Sequence, residues 1–442
     1  HNTDIGGFLD ALRLCWTREP RETSVVVLGA GGAARAVCVA WAALVFATLS
    51  EGWLRSPLVE GDDPQAFVAA AKARAMAEQR GNLAFVMLEQ GQEVGSFTMS
   101  KGDPVERDTL FQVASLGKWL TAWGVMALVE EGRIDLDVPV ATYLSRWQLP
   151  DSEFDADGVT VRRLLSHTAG LDDGLGYDGF AAKEDRQTLE DSLTRARDAS
   201  PGKSGVVALG SEPGSQWQYS GGGYTLLQLV IEEVTGESFA QYMDSTVFDP
   251  IGMERTTFDH ERALELGLAQ NFRPDGTVEP FRWYTALAAT SLFTTADDLA
   301  RFLAAQGLHG GQPVLSHDTL GLIATPHASQ LGADIWGLGA MLYAPNASGS
   351  FVIGHDGQNG PAINTAARID PATGNGIVIL STGHGSLATE LAGEWVFWKT
   401  GNVDNLDFAA GMETALFWFA LGLAVILLLA MIIGLRLRRR SR

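Results

Sequence analysis

From Ala415 to Leu435 the chain runs 21 residues without a charged side chain, and Arg436-Leu437-Arg438-Arg439-Arg440-Ser441-Arg442 follows at once. A bilayer hydrocarbon layer of about 30 Å takes about 20 apolar helical residues to cross. The run has that length, and core helices rarely go so far without a charge. Residues 413–435 are therefore the expected transmembrane helix, and 436–442 the basic tail. Clustered arginines favour the cytoplasmic side, which places the preceding chain outside the cytoplasm, at the cell membrane.

A second apolar run, Ala36 to Ser50, lies between Arg35 and Glu51. Its 15 residues are short for a span and suit a signal-peptide core or a signal anchor, here residues 36–54. Arg13, Arg18, Arg21 and Arg35 precede it and only Arg55 follows closely, so the same orientation results. If the segment is kept, the protein has two spans and both ends in the cytoplasm; if cleaved, it has one.

The formal net charge is −21, and removing the tail's five arginines leaves −26. So acidic a surface repels phosphates, which excludes nucleic acid as a partner. Cys15 and Cys38 are the only cysteines, and they form neither a C-x-x-C nor a zinc spacing. No cofactor or metal is expected. Asp155-Ala156-Asp157-Gly158 lacks the rest of a calcium loop and reads as an acidic turn.

Between the apolar runs the pattern is that of one mixed α/β domain. Residues 83–88 and 94–98 flank Gln90-Gly91-Gln92, a hairpin signal. Helical periodicity marks Thr225 to Val234 and Ala296 to Gln306. Phe351 to His355, Ala362 to Ile369 and Gly376 to Ser381 read as strands, with a turn at Asp370 to Asn375. Strands at both ends and helices between predict a sheet closed by the two ends of the domain.

Ser115-Leu116-Gly117-Lys118 sits where an extended apolar stretch becomes an apolar-periodic helix. Helix positions three apart share a face, so the hydroxyl and the amine would meet there. Ser200-Pro201-Gly202-Lys203 has the same spacing, but proline and glycine leave no helix to align it. There is no G-x-S-x-G elbow and no H-E-x-x-H.

Tyr219-Ser220-Gly221-Gly222-Gly223-Tyr224 and Gly354-His355-Asp356-Gly357 complete a set that resembles the serine β-lactamase and penicillin-binding-protein superfamily, nearest its class C and esterase-like members. Leu164-Leu165-Ser166-His167-Thr168-Ala169-Gly170-Leu171, Phe248-Asp249-Pro250-Ile251-Gly252-Met253 and Ser291-Leu292-Phe293-Thr294-Thr295-Ala296-Asp297-Asp298-Leu299 are similar to further signatures of that family. The resemblance covers residues 60–400 approximately. It implies an α/β (α+β) fold: an antiparallel sheet flanked by helices, with a mostly helical subdomain. It also implies that Ser115 is the nucleophile, that Lys118, held neutral, takes its proton, and that Tyr219 shares the base role and protonates the leaving group. His355 stands where other members have lysine and would orient Tyr219 or the substrate. Main-chain N–H groups of Ser115 and Gln358 would form the oxyanion hole, and Gly357 would keep the strand edge open.

Gly221 departs from the family, which places an asparagine there to contact substrate and lysine. This turns the expectation toward a simple acyl substrate. A D-Ala or D-amino-acid peptidase or β-lactamase acting on cell-wall peptide is the first alternative, and a non-catalytic sensor or binding module the second. Tyr224 reads as core, and His167 as a structural histidine in a turn.

Residues 1–40 differ in kind. Asn2-Thr3-Asp4, Gly7-Phe8 and Val25-Val26-Val27-Leu28-Gly29-Ala30-Gly31-Gly32-Ala33-Ala34-Arg35-Ala36-Val37 resemble shikimate dehydrogenase, whose glycine turn cradles a pyrophosphate. One βα unit cannot bind a dinucleotide, so this part reads as a remnant. The expected organisation is 1–35 remnant, 36–54 signal anchor or signal peptide, 55–405 hydrolase domain, 413–435 span and 436–442 tail.

Overall fold

The computed structural model describes residues 31–50, 52, 55–172, 176–307 and 314–440. Most of the dehydrogenase-like stretch lies outside the described residues. The chain divides into two units, one of His1–Pro57, Leu331–Ala333 and Gly401–Arg442, the other of Leu58–Gln330 and Asp334–Thr400.

Eight strands form the main sheet: β1 (Leu83–Glu89), β2 (Gln92–Met99), β3 (Ala328–Gln330), β4 (Ala333–Trp336), β5 (Met341–Pro345), β6 (Phe351–Asn359), β7 (Ile363–Asp370) and β8 (Asn375–Thr382). Their order is β2-β1-β8-β7-β6-β5-β4-β3. The N-terminal hairpin thus pairs antiparallel with the last strand, Leu83 opposite Ser381 and Leu88 opposite Gly376. This is the expected closure by the two ends of the domain. The hairpin turns through Gln90 (φ 52°) and Gly91 (φ 74°), the positive-φ pair that matches strand twist. Asn375 Oδ1 holds the strained Gln90 by accepting its N–H at 2.9 Å.

The helices used below are α1 (Gly31–Ser50), α2 (Pro64–Glu78), α3 (Gly117–Glu130), α4 (Gly221–Thr235), α5 (Ala296–Ala304), α6 (Leu387–Thr400) and α7 (Asn405–Arg440). Strand side chains alternate between faces. Ala84, Val86, Val378 and Leu380 join the core that contains Trp119, Trp123 and Phe302. Phe85, Met87, Ile377 and Ile379 alternate with them and are just as buried, so both faces are covered. On α3, Gly117 to Leu128 is buried on every side, as a helix apolar all round requires.

Helix α4 begins at Gly221, four residues ahead of the predicted Thr225, because the Ser220 hydroxyl caps it by accepting the Gly223 N–H at 2.8 Å. β6 continues four residues past the predicted His355, to Asn359. Helix α5 stops at Ala304, short of Gln306.

In the other unit, α1 runs antiparallel to α7: Trp41 lies beside Phe419 and Gly422, and Leu49 beside Gly411. Trp41 Nε1 donates to the Phe419 carbonyl at 3.3 Å, and Arg55 pairs with Asp407 at 2.6 Å. A Cβ at Gly422 would collide with the Trp41 indole, so glycine permits the close approach. Thr414–Arg436 is 23 residues long and apolar enough to cross a membrane, and Leu416, Phe417, Trp418, Leu428 and Leu429 are exposed on it.

Candidate active site

From Leu110 to Leu128 every residue is buried except Ser115. It lies in a short 3-10 turn, Ala114–Leu116, that leads into α3. Ala114 precedes it at φ 50°, a left-handed conformation unusual for alanine, so the chain bends sharply just before the serine. One turn on, Lys118 is buried to 1% exposure and donates to Ser115 Oγ at 3.1 Å. It also donates to the Ala289 carbonyl at 2.5 Å. The local spacing thus does what the motif predicted.

Tyr219 comes from the residue before the α4 cap. Its hydroxyl hydrogen-bonds the Ser115 side chain, and its ring centroid lies 4.9 Å from Lys118 Nζ. Burial pushes this phenol well above its ordinary value, and the bond from Ser115 pulls weakly the other way. Ser115, Lys118 and Tyr219 therefore meet, as expected. Gly221, buried at the start of α4, has no side chain to add to them.

β6 passes alongside the Ala114–Leu116 turn. Its pairing with β5 ends at Gly354, while its pairing with β7 continues to Asn359 opposite Ile363. His355 to Asn359 thus keep one edge without a paired strand among the described residues. A Cβ at Gly357 would collide with the Val113 carbonyl, so only glycine lets this edge come so near the serine turn. Thr365 Oγ1 fixes the approach by donating to Val113 O at 3.0 Å. Gln358, opposite Asn364, is exposed, and its side-chain amide donates to the Gly385 carbonyl at 3.1 Å.

His355 is buried, and its Nδ1 donates to the Asp356 carbonyl at 2.6 Å, which leaves the lone pair on Nε2. Burial, helped by the charge of Lys118, pushes it down to about 3. It is therefore a neutral imidazole at ordinary pH.

Other parts of the site have no counterpart in the motifs. Trp336, 2% exposed, packs edge-on against His167 (4.7 Å), Tyr219 (5.6 Å) and His355 (5.4 Å). Its indole N–H donates to the Leu165 carbonyl at 3.2 Å. Gly339 lets its turn press on α3, since a Cβ there would strike Ala122. The one sequence signal for this piece is a tryptophan followed by Gly337 and Gly339. Tyr224 is core, as expected, with its hydroxyl on the Leu165 carbonyl at 3.3 Å. Among the described residues no three His, Cys, Asp or Glu side chains gather as metal ligands.

A serine hydroxyl shared between a buried lysine and a tyrosine, beside an unpaired strand edge, defines a serine hydrolase of the β-lactamase and penicillin-binding-protein type. The Beta-lactamase family matches residues 67–396, and the chain belongs to it. A penicillin-binding protein of Bacillus subtilis (strain 168) is 36% identical over 174 residues, which is 38% of this chain but only 35% of that protein. Esterase EstB of Burkholderia gladioli is 28% identical over 63% of this chain and 79% of its own length. The octameric penicillin-binding protein homologue from Pyrococcus abyssi superposes with a TM-score of 0.62 at 24% identity, over 75% of this chain and 76% of that one, a likeness of fold.

Proposed function

We propose that this protein is a membrane-anchored serine hydrolase that cleaves an ester or amide of small acyl size through an acyl-Ser115 intermediate. The observation that carries the reading is the double hydrogen bond at Ser115 Oγ, to Lys118 Nζ and to the Tyr219 hydroxyl.

In the reactive state Lys118 is the neutral amine. Its bond to the Ala289 carbonyl occupies one N–H and leaves its lone pair for Ser115. Lys118 takes the serine proton as Oγ bonds to the carbonyl carbon. The main-chain N–H groups of Ser115 and Gln358 receive the developing oxyanion. Tyr219 passes a proton to the leaving group as the bond to it breaks. Water then attacks the acyl carbon, gives its proton back along the same route, and frees Ser115.

The site's charge favours the simple acyl reading over a β-lactam or D-alanyl peptide. Such substrates carry a carboxylate near the scissile bond, and a neutral His355 offers it no fixed positive charge. Gly221 offers no amide either. The similarity to Esterase EstB supports the same choice.

The anchor is α7, with the arginines cytoplasmic and the hydrolase domain outside. Helix α1, packed antiparallel along it, is a second span. A cell-impermeant fluorophosphonate tests both parts of the proposal. It should label the protein on intact cells, and Ser115→Ala should abolish labelling. Labelling only after permeabilisation would overturn the orientation, and no labelling of purified wild type would overturn the acyl-serine reading. Among p-nitrophenyl esters, nitrocefin and D-amino-acid anilides, short esters should turn over fastest. A lasting adduct with fluorescent penicillin would favour the cell-wall alternative.

A further inference from the structure

His167 has no part in the chemistry at Ser115, yet it grips three consecutive residues around the site tyrosine. Its main-chain carbonyl accepts the Gln218 N–H at 2.8 Å. Its Nδ1 accepts the Ser220 N–H at 3.0 Å. Between those two anchors its ring stacks on Tyr219, with centroids 4.2 Å apart and planes 29° from parallel. Trp336 meets the imidazole edge-on at 4.7 Å.

The backbone of His167 has φ 57°, in the left-handed region. A side chain there is strained, and such strain persists where the surroundings over-determine it. At this position the turn aims both the carbonyl and the ring of one residue at the 218–220 segment. Histidine supplies both contacts at once, an aromatic face for the stack and an unprotonated nitrogen for the main-chain N–H.

The hydrogen bond also fixes the ring's chemistry. With Nδ1 accepting, the single proton of the neutral ring sits on Nε2. Burial, more than any neighbouring charge, holds the ring well below its ordinary value, so Nδ1 stays an acceptor. On the helix side of Tyr219, Ser220 turns its hydroxyl to the α4 cap, and Gly221 beyond it has no side chain to brace the segment.

We infer that His167 is a positioning residue, which holds the Tyr219 hydroxyl on Ser115 by clamping Gln218 and Ser220 on either side of it. This rests on the acyl-serine reading, in which Tyr219 moves protons at Ser115. A histidine that merely filled a turn would support the fold in general and have no special dependence on Tyr219.

A double-mutant cycle on the purified full chain separates the two, read as p-nitrophenyl acetate turnover and as the rate of fluorophosphonate labelling. His167→Phe keeps a ring for the stack and removes the acceptor. It should lower kcat about 10–100-fold, the scale of a small misplacement of a catalytic group, and leave KM within about 2-fold. In a Tyr219→Phe background the same substitution should cost less than about 2-fold, because the group being positioned is already gone. His167→Asn tolerates the left-handed backbone and offers Oδ1 to the Ser220 N–H, so it should recover most of the lost rate. Should His167→Phe not fold, His167→Gly takes its place in the cycle with the same expectation. Additive losses, or a change confined to KM, would overturn the clamp while wild type still labels at Ser115. Wild type that does not label at all would instead bring down the reading beneath it.

Discussion

Arg368, which has no exposed surface, reaches across from β7 and pairs with Asp356 on β6, Nη2 to Oδ2 3.1 Å. Asp356 is the neighbour of His355 and supplies the carbonyl that fixes its tautomer. Tyr343 on β5 completes the arrangement. Its hydroxyl donates to Asp356 Oδ1 at 2.6 Å, and its ring lies 3.9 Å from the guanidinium carbon. Three adjacent strands are therefore tied at the level of the site. Breaking a buried pair by removing one partner leaves an uncompensated charge, a loss of about 3–5 kcal/mol. Arg368→Met should lower unfolding free energy by that amount in urea titration and reduce kcat through a displaced β6. Asp356→Asn together with Arg368→Met should recover part of the stability, since neither charge remains.

The contact between Gly357 and Val113 makes a sharper test of how near β6 must lie. Gly357→Ala places a methyl on the Val113 carbonyl and on Thr365 Oγ1, so the strand edge must move away from the serine turn. Neither atom is the far end of a flexible side chain. A misplacement on that scale costs about 100-fold in rate. Activity on p-nitrophenyl acetate should fall by that order. Labelling by a fluorophosphonate, which also needs the oxyanion donors, should slow in parallel. An unchanged kcat would show that the Gln358 N–H is not one of those donors.

How far the site can be read from the chain alone follows from what holds each piece. Ser115 and Lys118 are three residues apart on one turn, so their meeting is local. Tyr219 and His355 require a resemblance, because only tertiary folding brings them near. Trp336, Tyr343 and Arg368 depend on which strands are neighbours and on which face each residue takes, and neither is encoded locally. The Ala289 carbonyl that orients Lys118 is a main-chain group any residue would supply. Helix α4 starts earlier than its periodicity suggests because three glycines read as a loop, whereas the Ser220 cap and full burial hold them helical. His167 does sit in a turn, as expected, but its contacts with the 218–220 segment lie about fifty residues away in sequence. The sheet order follows more readily, from alternating strands at both ends of the domain.

Gly221→Asn tests the substrate argument directly. The change restores the amide that the family carries at this position, at the start of α4. Amide turnover should rise relative to ester turnover, measured as the ratio of kcat/KM for a D-amino-acid anilide and a short ester. A ratio that does not move would remove Gly221 from the account of specificity.

The pairing of α1 with α7 predicts the mature chain. Trp41 and Leu49 pack on Gly422 and Gly411, contacts a cleaved segment would not keep. Intact mass of the membrane-extracted protein should include residues 36–50. An N-terminus after Ser50 would show instead that the segment is a signal peptide.

Asp198 gives a prediction in pH. It is 5% exposed, and both carboxylate oxygens are buried with no partner from any other residue. Burial raises it from 3.8 to about 6, against a bond from its own main-chain N–H; the charge of Asp178 adds to the rise and that of Arg197 opposes it. A carboxyl whose folded value is raised binds more protons folded than unfolded between those two values. Its contribution is therefore favourable below pH 3.8 and is lost as the pH rises through about 6. Two units correspond to about 3 kcal/mol. Asp198→Asn removes the titrating charge, so the variant should be more stable than wild type at pH 8, by up to that amount. The difference should close as pH falls from about 6 toward 4, where wild-type Asp198 is neutral as well. The buried His355 works in the opposite sense, because its folded value of about 3 makes the unfolded chain the better proton binder below pH 6.5. It is present in both proteins and cancels from the comparison. Urea titrations of the two at pH 4, 6 and 8 decide the matter, and a stability difference independent of pH would show that Asp198 is not a buried, titrating acid.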